Sequence, residues 1–242
     1  MNVAQQRPVS RGPEPSRPKW GILTNHAVVL VYVLLHPQST VRGIASAIAI
    51  TERATLAILR DLDMDKIVER HREGRRNTYS INFARLSSVR RGGVATPLTP
   101  RPFVETILRA LFSLASPRPD AAAHQPLREV PAAELEARLG TWGFFTNHML
   151  ILLAISQDDS RTVRELAAAV GITERAAVGI VGQLVTEGIL GRERVGRRNV
   201  YLIDLDAFSA FRGCSFGEWQ LPAGIVAAAT DGVRAVIAER RA

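Results

Sequence analysis

The chain has 242 residues, 46% of them hydrophobic and 22% charged, the proportions of a globular protein with core enough for one large domain or two small ones. A formal net charge of +8 and a pI near 10.8 favour a polyanionic partner, without separating nucleic acid from an acidic membrane surface. The single cysteine, Cys214, rules out an internal disulfide and a Cys-rich zinc cluster and fits a reducing cytoplasm.

The first eight residues hold no apolar run of the signal-peptide kind, and the longest strongly apolar stretch, 27–35, is about half of what spans a bilayer. A soluble cytoplasmic protein with no membrane partner is expected. Residues 1–19 are a basic tail rich in Pro and Arg, predicted to be disordered because it has too little apolar surface to bury.

From Trp20 onward the chain repeats itself. Residues 20–81 align without a gap on residues 142–203, with about 27 identities over the 62 positions. The matches include Trp20-Gly21 with Trp142-Gly143, Thr24-Asn25-His26 with Thr146-Asn147-His148, Thr51-Glu52-Arg53-Ala54 with Thr173-Glu174-Arg175-Ala176, and Gly74-Arg75-Arg76-Asn77 with Gly196-Arg197-Arg198-Asn199. Two copies separated by some 60 dissimilar residues are two domains rather than a solenoid, whose repeats adjoin and number more.

Within a copy, Thr24 or Asn25 is a good N-cap for the apolar run that follows, which reads as a short buried helix. Thr40 opens a second helix with Val41, Ile44, Ala45 and Ile48 on one face, and Thr162 does the same for Val163, Leu166, Ala167 and Val170. Ala49 or Gly171 ends it, glycine suiting the left-handed residue that often closes a helix. Thr51 and Thr173 cap a third helix. Its inward positions are Thr55, Ile58, Leu59 and Leu62, matched by Ala177, Ile180, Val181 and Leu184. The period then changes to two: 67–72 and 77–81 flank Glu73-Gly74-Arg75-Arg76, and 189–194 and 199–203 flank Val195-Gly196-Arg197-Arg198, predicting a basic hairpin in each copy. Two short helices joined by a tight turn, a third amphipathic helix and a basic hairpin outline a helix-turn-helix with a wing.

Between the copies lie a basic stretch (85–102), an apolar helix candidate (103–115), a Pro/Ala linker (116–126) and a second helix candidate (128–139). Helical spacing returns at 221–240. The expected organisation is a tail at 1–19, a domain at 20–84, a linker with helices at 85–140, a second domain at 141–206 and a helical extension at 207–242. The expected class is mainly α with small β-hairpins (α+β): two tandem winged helix-turn-helix domains joined by helical linkers.

The run from Val163 (VRELAAAVGITERA), continuing from Gly188 (GILGRERVGRRNVY), resembles winged helix-turn-helix transcriptional regulators of the MarR/ArsR type. The opening TWGFFTNH from Thr141 resembles a small actinobacterial subgroup of them. The likeness covers both copies, roughly half of the chain, and departs from the family in its tandem fusion. It implies that the third helix enters the major groove of double-stranded DNA, and that the helices outside the repeat pack the modules together or make a dimer. The chain then acts as a monomeric pseudo-dimer or as a homodimer, in the nucleoid.

Once the inward face is removed, the residues able to reach base edges are Thr51, Glu52, Arg53, Leu56, Ala57 and Arg60 in the first copy. In the second they are Thr173, Glu174, Arg175, Val178, Gly179 and Gln183. Arg53 and Arg175 suit a bidentate contact to guanine. Glu52 and Glu174 either accept from cytosine or cap the helix and orient the arginine. Leu56 and Val178 either meet thymine methyls or pack beneath the hairpin. The hairpins offer Arg70, Arg72, Arg75, Arg76 and Asn77, with Arg192, Arg194, Arg197, Arg198 and Asn199, for phosphates or a narrow minor groove, although the asparagines also suit the turn itself.

His26 and His148 have no carboxylate or thiol at ligand spacing and are expected to cap helices and pack beside Trp20 and Trp142. No phosphate loop, nucleophile elbow, zinc motif or dinucleotide fingerprint is present, so no enzyme, cofactor or metal is expected. Whether a small-effector pocket lies among the helices outside the repeat is left open by pattern alone. Besides a transcriptional regulator, the pattern admits a plasmid replication, partition or nucleoid-associated DNA-binding protein. From another class, it admits a tandem winged-helix protein-interaction subunit, against which the wing arginines argue.

Overall fold

The computed structural model describes residues 20–73, 76–88, 98–115, 142–196, 198–211, 215–216 and 219–242, with the side chains of Glu73, Arg76, Ser87, Ser88, Ser215 and Phe216 not among those described. The expectations for 1–19, 116–126 and 128–139, and for Gly74, Arg75 and Arg197 at the hairpin tips, lie outside these residues. The fold is mixed α+β. The first unit runs α1 (Asn25–Leu35), α2 (Val41–Ala47), α3 (Glu52–Met64), β1 (Val68–Glu73), β2 (Arg76–Ile81), α4 (Phe83–Ser88) and α5 (Arg101–Ala115). The second runs α6 (Asn147–Gln157), α7 (Val163–Val170), α8 (Glu174–Thr186), β3 (Leu190–Val195), β4 (Arg198–Ile203), α9 (Leu205–Ser209), the two-residue strands β5 (Ser215–Phe216) and β6 (Trp219–Gln220), and α10 (Ala223–Arg241). Among the described residues no single helix is long and apolar enough to cross a membrane.

Each helix of the repeat starts where a threonine can accept from an orphan backbone N–H. Thr40 Oγ1 accepts from Gly43 N at 3.0 Å and Thr51 Oγ1 from Ala54 N at 3.1 Å, and Thr162 and Thr173 repeat this at Glu165 N and Ala176 N. At α7 the cap is reciprocal, because the Glu165 carboxylate accepts from Thr162 N at 2.7 Å. Gly43 holds the corresponding place in α2 and has no side chain to return the bond. The buried faces of α3 and α8 are Thr55, Ile58, Leu59 and Leu62, and Ala177, Ile180, Val181 and Leu184, the eight positions expected from period alone.

The hairpins keep the same register. Arg72 pairs with Asn77 and Arg70 with Tyr79, as Arg194 pairs with Asn199 and Arg192 with Tyr201. Both anchor their second strand on the loop after the first helix of the unit, Tyr79 N donating to Pro37 O at 2.8 Å and Tyr201 N to Asp159 O at 2.9 Å. The ladders reach one residue nearer the tip than the sequence periodicity suggests.

By identity the repeat stops near Ile81 and Ile203, but the architecture continues. α5 begins at Arg101 and α10 at Ala223, the same spacing that separates Trp20 from Trp142. The buried positions of α5, Phe103, Val104, Ile107, Leu108 and Leu111, recur in α10 as Ile225, Val226, Ala229, Thr230 and Val233. Only Val104 and Val226 are identical among these, so burial repeats where residue type does not. The short helices before them are opened alike, Asn82 Oδ1 accepting from Arg85 N and Asp204 Oδ1 from Ala207 N.

α5 and α10 pack on each other. They come so close that a Cβ at Gly232 would lie 2.6 Å from both a Phe103 ring carbon and Thr106 Oγ1, which is why glycine stands there. The buried side chains of both units form one contiguous core.

The units meet head to head along a short antiparallel bridge between Leu23 and Phe145. Thr24 N donates to Phe144 O at 3.1 Å and Thr146 N to Ile22 O at 3.0 Å. The Thr24 hydroxyl donates to Gly143 O and the Thr146 hydroxyl to Gly21 O. Each of these bridge contacts has its mirror under exchange of the units, so they are related by a local twofold axis through the Leu23–Phe145 bridge, as in an isologous dimer.

The units differ in how two left-handed turns are made. Unit 2 uses Gly171 (φ 76) and Gly188 (φ 72), whereas unit 1 forces Ala49 (φ 54) and Lys66 (φ 58) into the same conformation. Left-handed backbone costs a residue with a Cβ about 1 kcal/mol. Ala49→Gly and Lys66→Gly are therefore expected to stabilise the chain by about 0.5–1 kcal/mol each in chemical denaturation, and Gly171→Ala to destabilise it by about 1 kcal/mol. A fall in stability in the two glycine variants would contradict this account.

Candidate nucleic-acid interface

The outer faces of α3 and α8 present Thr51, Glu52, Arg53, Leu56, Ala57 and Arg60, and Thr173, Glu174, Arg175, Val178, Gly179 and Gln183, all exposed. Leu56 is 39% and Val178 58% accessible, so both reach the outer surface. Among the described residues Arg53, Arg60 and Arg175 have no ion-pair partner. Glu174 Oε1 lies 3.7 Å from Arg164 Nε, an exposed pair worth little to stability. Thr51 and Thr173 spend their oxygen on the helix caps and keep a hydroxyl proton to donate. Gln183 is already engaged, its Oε1 lying 2.6 Å from His148 Nε2.

On the hairpins, Arg70 and Arg72 share the sheet face that buries Tyr79 further down, and Arg192 and Arg194 share that of Tyr201. All four arginines are exposed. Burial raises the Tyr79 phenol above its ordinary 10, with the positive Arg70 nearby opposing the shift. Arg194 Nε donates to Gly196 O at 3.4 Å, and Arg198 and Asn199 are exposed beside it, while Asn77 is half-buried.

The histidines pack beside the tryptophans, as the sequence led one to expect, but do not cap the helices. Thr24 and Thr146 are the caps of α1 and α6, accepting from Ala27 N and Met149 N. Each histidine stacks on the tryptophan of the opposite unit: His26 on Trp142 at 5.0 Å and 6°, His148 on Trp20 at 4.5 Å and 5°. A cap needs an acceptor close to the backbone, which threonine supplies; one residue pair later, the imidazole points across the local axis.

This crossing ties the exposed helices to the junction. In unit 1, His26 Nε2 lies 3.0 Å from Asp61 Oδ2 and Trp142 Nε1 donates to Asp65 Oδ2 at 2.9 Å, so the far half of α3 is held by two carboxylates. In unit 2 the corresponding residues are Gln183, which meets His148, and Glu187, which is exposed and leaves the buried Trp20 Nε1 without a partner among the described residues. Trp20 is covered instead by Phe211, 4.2 Å away. Asp61 and Asp65 were not singled out from sequence, since their partners lie far off in the chain. The matched Trp and His of both copies were the only signal.

A groove of about 480 Å³ opens beside the junction, lined by residues that include Thr24, Phe145, Asn147 and His148. Among the described residues no cluster of three His, Cys, Asp or Glu side chains is placed to hold a metal ion. Compared with family models, curated proteins and solved structures, the chain matches none of them.

Two measurements probe the junction. Trp142→Phe removes a hydrogen bond to a carboxylate, whereas Trp20→Phe removes an N–H that has no partner among the described residues. Chemical denaturation should show the first to cost about 1–2 kcal/mol more than the second, and equal costs would contradict the assignment.

The other concerns pH. Burial pulls the His148 imidazole below its ordinary 6.5, the Gln183 hydrogen bond opposing it. The unfolded chain therefore takes up this proton first as pH falls. The contribution is complete above the unfolded value and is lost as pH falls through the folded one. The midpoint of thermal unfolding should drop as pH falls below about 6.5, and His148→Gln should flatten that slope. An identical slope in the variant would contradict it.

Proposed function

We propose that the chain is a sequence-specific double-stranded DNA-binding transcriptional regulator of tandem winged helix-turn-helix architecture, resembling the MarR/ArsR type, in which one polypeptide acts as a pseudo-dimer. The observation that carries the reading is the duplicated Thr-Glu-Arg-Ala start of α3 and α8. Each start has the same threonine cap, the same inward face and an exposed arginine, and each is followed by a hairpin with exposed arginines. α3 and α8 are the recognition helices and the hairpins the wings. The local twofold relation supports half-sites arranged as an imperfect inverted repeat, centred about 10–10.5 bp or a multiple apart.

The chemistry supports this assignment. A planar guanidinium leaving the first turn of a helix in the major groove can meet guanine O6 and N7 together. Arginines on a projecting hairpin neutralise phosphates without reading sequence. The net charge of +8 draws the chain to the duplex before any base is read.

Gel shifts against an enriched site and random genomic duplex, at two salt concentrations, test it. Arg53→Ala with Arg175→Ala should sharply reduce the preference for the enriched site while leaving binding to random duplex. Changing Arg75, Arg76, Arg197 and Arg198 to Ala should weaken both and lower the salt slope by about 0.9 for each phosphate no longer neutralised. Retention of no duplex even at low salt would overturn the proposal and turn attention to a protein partner.

A further inference from the structure

The two proposed recognition faces begin alike and then part. Arg53 and Arg175 occupy the same place one residue inside their helices, after caps of 3.1 and 3.2 Å. Two helical turns further on, unit 1 carries Arg60 and unit 2 carries Gly182. Residues seven apart lie on one stripe of an α-helix, about 10 Å apart along its axis, close to three base-pair steps of B-DNA. The exposed stripe of α3 thus presents two guanidinium groups at a spacing that suits two base pairs of one half-site, and that of α8 presents one. Neither Arg53 nor Arg60 is drawn off into an ion pair among the described residues, although Asp61 and Asp63 follow Arg60 closely in sequence. Asp61 is turned to His26 on the junction side. That contact leaves Arg60 on the outer face, beside Ala57.

We propose that Arg60 is a specificity-determining residue that makes the target asymmetric: the half-site under unit 1 carries one more required guanine than the half-site under unit 2, and the chain docks in a single orientation. This rests on the DNA-binding reading above and deepens it. A homodimer cannot do this by side-chain choice, since each substitution appears in both half-sites; a fused pair can, because each face changes alone. One bidentate arginine–guanine contact discriminates against the wrong base by about ten- to a hundredfold, enough to orient the protein on an otherwise symmetric repeat.

Arg60→Gln and Gly182→Arg, each in the full chain, test the proposal by selection from random duplex followed by binding titrations on the selected sites. Both positions are exposed, and a Cβ at Gly182 meets nothing within 4 Å, so both variants should fold, which far-UV dichroism and thermal melting verify. The wild type is expected to select an imperfect repeat with an additional guanine in one half. Arg60→Gln should lose that guanine, with a ten- to hundredfold drop on the wild-type site and little change on a site lacking it. Gly182→Arg should add a guanine to the other half and make the selected repeat more symmetric.

A symmetric wild-type motif overturns this inference while leaving the DNA reading standing. So does an Arg60→Gln variant that loses affinity equally for all duplexes with a flatter salt slope, the mark of a phosphate contact. No enrichment of any duplex by the wild type overturns both.

Discussion

Ile22–Thr24 and Phe144–Thr146 enter the interior as extended backbone, and their N–H and C=O groups must be paired there. They pair with each other across the local twofold axis, and each threonine hydroxyl does two things at once. It accepts from the first turn of its own helix and donates to a carbonyl of the opposite unit. An Asp or Asn could cap the helix, but only a hydroxyl donates and accepts from one atom at that reach. α1 and α6 are thereby held in a fixed mutual orientation. α3 and α8 pack against α1 and α6, so the disposition of the two outer faces follows from this strap.

A second layer reinforces the first. α5 and α10 close on each other near Gly232, and the indoles cross over to the opposite histidines, so neither unit completes its core alone. The backbone obeys the twofold relation closely, whereas side chains have departed from it at Asp61 and Gln183, Asp65 and Glu187, Ala49 and Gly171, and Lys66 and Gly188. In a dimer of identical chains each such change would act twice. Covalent fusion removes that coupling, and one unit can hold its outer helix with carboxylates while the other relies on a neutral amide.

Local structure was readable without coordinates because it depends on neighbours in the chain. The threonine caps, the inward faces of α3 and α8, the hairpins and their exposed arginines all follow from short spacings, and they carry most of the candidate interface. Leu56 and Val178 were ambiguous by pattern, since an apolar residue at a helix edge serves equally as packing or as contact surface; the structure adds that both reach the outer surface. The place of α5 and α10 within the duplicated plan was hidden, because packing conserves which positions are buried and tolerates wide changes of residue type. One identity in five buried positions gives a sequence comparison almost nothing to hold.

What the sequence determined by itself is therefore the unit: its elements, its outer face, and the fact that it occurs twice. The Trp and His of each copy announced that they mattered, but not to whom. Tertiary structure alone decided that each tryptophan serves the opposite histidine, that Asp61 and Asp65 reach the junction, and that the units face each other about an axis at Leu23 and Phe145. The reason is range. Caps and periodicity act over three or four residues, whereas these contacts join groups 35 to 128 residues apart, and their partners are chosen by the geometry of the assembled core.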